Sequence, residues 1–184
     1  MWLADRLAGR CAGAVLLAAS LFSAGCTVQP LYGKAPVGTD GTQTAAINTQ
    51  LAAISVKQVD TRYAQQVRND LLFLFYGGTN QPAAPRYVLD LGVTALNEWT
   101  ATTQVDTDDR ATAAMLTMIS TYLLTDAETG ETISSGRRQI SSSYDVPTQE
   151  FAALRAKRDA EDRAARELAE LLRLAVAQDL AARR

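Results

Sequence analysis

The chain contains no histidine, so the side chain that most often serves as a general base or a neutral metal ligand near pH 7 is missing. Cysteine is nearly as scarce: the only two are Cys11 and Cys26. Beyond Cys26 no thiol exists for a disulfide, a metal site or a nucleophile. There is no Gly-x-Ser-x-Gly elbow, and Gly77-Gly78 lacks the lysine of a phosphate loop. Asp90 and Glu98 are the least poor acid and base pair, but both fall on one predicted strand and read as surface charges. The carboxylates from Asp106 to Asp109 read as a hairpin turn. Catalysis, a bound metal and a cofactor are therefore not expected.

Strong charge of either sign is also absent. Lys and Arg number 18 against 20 Asp and Glu, a formal charge of −2. Losing Asp5, Arg6 and Arg10 with a leader would take those counts to 16 and 19, and the charge to −3. Such a chain has no field to gather nucleic acid.

The N-terminal residues are distinctive. Arg6 and Arg10 precede an apolar run from Cys11 to Phe22, then Ser23, Ala24 and Gly25 lead to Cys26. The run is shorter than the ~20 residues that cross a bilayer core, so it reads as the apolar segment of a signal peptide. Small residues ahead of a cysteine suit a peptidase cutting just before it, and Ser23-Ala24-Gly25-Cys26 resembles the lipobox of bacterial lipoproteins. That resemblance implies residues 1–25 as signal peptide and Cys26 as the lipidated residue, carrying a diacylglyceryl and an N-acyl chain. Thr27 in place of aspartate implies no inner-membrane retention, hence an outer-membrane location on the periplasmic side.

Residues 26–50 are rich in Gly, Thr, Ala and Gln and read as a tether. The remaining 51–184 are long enough for one domain with its own core. Leu51 to Val59 has the alternation of a half-buried strand. Asp60 is placed to cap a helix from Thr61 to Phe75, stopped by Gly77-Gly78. Tyr87 to Leu96, continuing toward Val105, and Ala113 to Leu124 read as two strands of a long hairpin. Thr132 to Tyr144 is a serine-rich strand with Arg137 and Arg138 at its middle, polar on both sides and suited to a sheet edge. Pro147 to Glu150 open a helix that runs to the C-terminus. Its stripe of Phe151, Leu154, Ala164, Leu168, Leu171, Leu172 and Ala175 predicts a buried face. The ladders Asp159-Arg163-Glu167 and Asp162-Arg166-Glu170 read as a solvated one. The expected fold is α+β: a two-layer sandwich of a four-stranded, mostly antiparallel sheet with two helices on one face. The other sheet face is left to solvent or to a partner.

Taken together, Cys26-Thr27-Val28-Gln29-Pro30-Leu31-Tyr32-Gly33, Val67-Arg68-Asn69-Asp70-Leu71, Ser143-Tyr144-Asp145-Val146-Pro147-Thr148 and Ala156-Lys157-Arg158-Asp159-Ala160-Glu161 resemble the lipopolysaccharide-assembly lipoproteins of the LptE family, in their alphaproteobacterial form. The resemblance implies a non-enzymatic plug in the LptD outer-membrane barrel, aiding its assembly and the delivery of lipopolysaccharide to the outer leaflet. It also implies lipopolysaccharide contact through basic side chains at the last helix start and near a hairpin tip, here Arg155, Lys157, Arg158 and Arg110. An auxiliary lipoprotein of an envelope phospholipid transporter, using the open sheet face, is the alternative.

Overall fold

A computed structural model describes residues 41–78, 80–105 and 108–183. Alternating side chains build its sheet. On β3 (Asp108–Asp126) the side chains of Ala114, Leu116, Met118, Tyr122 and Leu124 are buried on one face, while Thr117, Thr121 and Leu123 take the other. β2 (Tyr87–Val105) follows the same period with Tyr87, Leu89 and Leu91 buried. The strands stand in the order β1-β2-β3-β4, with β1 (Ile54–Val56) parallel to β2 and β4 (Thr132–Asp145) antiparallel to β3 at the edge. The expected α+β sandwich is the one observed.

Two helices cover the sheet on its buried face. Ahead of α2 (Arg62–Tyr76) the side chain of Thr61, not Asp60, accepts a hydrogen bond from the Ala64 amide. Gly77 closes the helix at φ 63°, its N–H donating to the Phe73 carbonyl at 2.8 Å. The left-handed conformation there favours glycine. α3 (Glu150–Ala182) is 33 residues long against 15 for α2. The Tyr76 hydroxyl donates to the Ile54 carbonyl, and Arg183 donates to the Thr132 carbonyl at 3.3 Å. Both helices therefore finish at the end of the sheet where Ile54, Tyr87 and Asp126 are aligned, and they run side by side in one direction. We call this the closed end. The core between the layers joins Val67, Leu71, Leu89, Leu116, Leu168 and Leu172.

Three expectations change. The tether was expected to reach Gln50, yet Gly41–Leu51 forms a helix, α1, whose Leu51 enters the core with Ile47 packed beside it. The first strand contracts to three residues: Leu51 belongs to the helix, 52–53 to the turn after it, and 57–59 lie beyond the strand. Of the expected turn, Asp108 and Asp109 belong to β3 and 106–107 lie outside the described residues.

Candidate functional site

Leu154, Arg158, Glu161, Ala165, Leu168, Leu172 and Val176 follow one another at steps of three or four, so they share one face of α3. From Ala164 onward that face is sealed: Ala164, Ala165, Leu168, Ala169 and Leu172 are all fully buried. α2, however, begins only at Arg62, level with Glu161 and Asp162, to which it is bonded at 2.9 and 2.8 Å. N-terminal to that level no second helix lies beside α3 among the described residues. About 16 Å of helix is left without this cover. Leu154 is 44% exposed there and Phe151 85%. Both were expected in the core. They continue the right stripe but overrun the helix that would bury them.

The sheet overruns in the same direction. Arg163 donates to the Ser142 hydroxyl and the Ser143 carbonyl, which sets the start of α3 at the end of β4. β4 stops at Asp145, opposite Ala113, whereas β2 and β3 continue as a two-stranded hairpin. Trp99 pairs with the buried Ala114, so it lies on the helix side of the sheet, yet it is 62% exposed. Below it the Tyr144 hydroxyl donates to Asn97 Oδ1 at 2.8 Å. The exposed apolar side chains toward this open end are Trp99 on the hairpin and Phe151 and Leu154 on α3, with Leu96 on the opposite sheet face.

Arg155, Lys157 and Arg158 stand on the same exposed turns of α3 and have no ion pair among the described residues. Of the other anticipated residues, Arg110 lies in the hairpin opposite Thr103, with its side chain outside the description. Cys26 lies outside the described residues. Asp90 is bonded to Lys57 at 2.7 Å on the surface. Asp90 stands opposite Leu123 and Glu98 opposite Met115, about 26 Å apart along the strand. They cannot share a proton-transfer step. Trp99, Phe151 and Leu154 were not anticipated as site residues.

The uncovered sheet face is a second surface. On β4 it carries Ser135, Arg137, Gln139, Ser141 and Ser143, and the hydroxyls of Ser141 and Thr117 are 2.9 Å apart. The opposite side of β4 is also polar at Ser134 and Ser142, and only Ile140, Tyr144 and Ile133 pack against the core. This is the edge position expected for that strand.

The sequence profile of the LptE family, described as lipopolysaccharide-assembly, matches residues 50–176. A lipoprotein of known structure from Caulobacter crescentus CB15 is similar, with 27% identity and a TM-score of 0.62. The match covers 74% of this chain and 97% of that one. The rare lipoprotein B from Shewanella oneidensis shares the fold at 12% identity and a TM-score of 0.50, over 71% of this chain and 97% of its own. No curated protein sequence matches the chain. The profile spans α2, the sheet and most of α3, more than half of the sequence, and the chain belongs to the LptE family of lipopolysaccharide-assembly lipoproteins.

Proposed function

We propose that the chain, anchored to the outer membrane through lipid on Cys26, plugs an LptD-type barrel and helps it assemble and deliver lipopolysaccharide to the outer leaflet. The observation that carries this reading is the uncovered sheet face with its serine-rich edge strand. A barrel lumen is polar and wet. Hydroxyls, amides and a guanidinium exchange water for such a wall at little desolvation cost, since each keeps a hydrogen-bond partner. The work is binding and scaffolding, with the covalent lipid as the only added group.

The open end supports the lipid half of the role. Arg155, Lys157 and Arg158 supply charge-assisted hydrogen bonds to head-group phosphates. Leu154 and Phe151 on the same helix turns, and Trp99 on the hairpin, offer apolar surface to acyl chains. Arg110 extends the basic set toward the hairpin tip.

The test is purification of the C-terminally tagged chain from mildly solubilised outer membranes. A large barrel protein recovered at one-to-one stoichiometry is the expected result. Recovery of phospholipid-transporter components, or of no stoichiometric partner, refutes the plug role.

A further inference from the structure

We infer that Arg62 is a positioning residue for anion binding at the open end: by engaging Glu161 and Asp162 it keeps Lys157 and Arg158 unpaired. The inference rests on reading that end as a site for a phosphate-bearing lipid.

Side chains four apart on a helix are neighbours and pair when their charges are opposite. Arg155, Lys157 and Arg158 are each followed, four residues later, by an acid: Asp159, Glu161 and Asp162. Left to themselves, these would form three intrahelical pairs, and an incoming anion would first have to break them. None of the three forms. Arg62 donates through Nη1 to Glu161 and through Nη2 to Asp162, at 2.9 and 2.8 Å. Asp159 is taken by Arg163, which is itself held by Ser142 and Ser143 on β4. Glu161 and Asp162 are thereby drawn toward α2, and Asp159 is turned along its own helix toward Arg163. The cations ahead of them have no ion pair among the described residues, with Arg155 and Arg158 exposed and Lys157 half-buried.

The requirements on Arg62 fit its chemistry. One guanidinium can fork between two carboxylates, which a lysine ammonium does with poorer geometry and a glutamine without charge. Arg62 also occupies the first turn of α2, where the helix dipole disfavours a cation. Its placement is therefore not accounted for by the stability of its own helix. Glu161 is the more sheltered partner, with 15% of its side chain exposed, so solvent screens this pairing less than the others.

The test is capture of the full chain, solubilised in dodecyl maltoside, by immobilised biotinylated lipopolysaccharide. Arg62→Gln should raise the half-saturating concentration about fourfold, as two intrahelical pairs form in competition with the lipid. Adding Glu161→Gln and Asp162→Asn to that variant should restore wild-type capture or better. The same two amide changes in the presence of Arg62 should not weaken capture. Unchanged capture by Arg62→Gln, or a loss that the amide changes fail to restore, overturns the inference. Lys157→Gln with Arg158→Gln tests the underlying reading separately: if that pair of changes leaves capture intact, the open end is not the lipid site.

Discussion

Gly136 on β4 lies directly opposite Tyr122, and replacing it by alanine should destabilise the protein more than any contact visible in the wild type would suggest. A Cβ at this position would stand 2.7 Å from Tyr122 Oη and 2.8 Å from Cε1 and Cζ. The ring has no easy retreat. It is 4% exposed, and its hydroxyl donates to Asp179 Oδ2 at 2.7 Å. Forcing extra volume into such a site costs about 1–3 kcal/mol. If the ring must swing, the hydrogen bond to the carboxylate adds about 1.5–3 kcal/mol. The conformational gain of alanine over glycine returns only about 0.5–1 kcal/mol. A net loss of about 2–3 kcal/mol follows, which thermal unfolding followed by far-ultraviolet circular dichroism would record as a midpoint lower by roughly 5–10 °C. Gly92→Ala is the control. Its Cβ would meet only Thr121 Oγ1, at 2.8 Å, a hydroxyl on an exposed residue that can rotate away, so the loss should stay below about 1 kcal/mol. In a Tyr122→Ala background Gly136→Ala should cost almost nothing more. A Gly136→Ala variant as stable as wild type, or one whose loss persists unchanged without the tyrosine ring, refutes the reasoning.

Two other outcomes follow from the packing and the charges. Leu168→Ala should cost about 2–5 kcal/mol, as for other buried leucines, whereas Leu154→Ala on the same stripe should cost below about 1 kcal/mol; denaturant unfolding of the two variants checks this. Burial, then the Asp179 carboxylate, push the Tyr122 hydroxyl up to about 12. The folded state then holds this proton more tightly than the unfolded chain, whose tyrosines titrate near ~10. The resulting stabilisation is complete below pH ~10 and is lost as the pH rises toward 12, by an amount of about 2 kcal/mol that Tyr122→Phe should abolish in pH-dependent unfolding curves.

Elements whose signals are local were legible in the sequence. α2 carries its period from Ala64 to Phe75 and its stop at Gly77, and the hairpin strands show their alternation openly. α1 was not legible, because of the described side chains in its sequence GTQTAAINTQL only Ile47 and Leu51 join the hydrophobic core. Two residues four apart do not make a pattern. The misplacement of Phe151 and Leu154 has another cause. Periodicity identifies which residues share a face, but whether the face is covered depends on the element beside it. The disparity between a 33-residue helix and a 15-residue one was the available signal. The Arg62 pairs, spanning 99 and 100 residues of sequence, left no such trace. Local spacing favoured the ladder from Asp162 to Arg166, and the fold instead brought α2 to Asp162.

The open end as the point of lipid contact is most directly tested in living cells by a photo-crosslinking amino acid placed singly at Leu154, Phe151 and Phe73. Phe73 is 65% exposed near the C-terminal end of α2, at the closed end of the molecule. Lipopolysaccharide adducts at Leu154 and Phe151, with none at Phe73, are predicted. Adducts of equal yield at all three positions, or none at Leu154 and Phe151, would contradict the account.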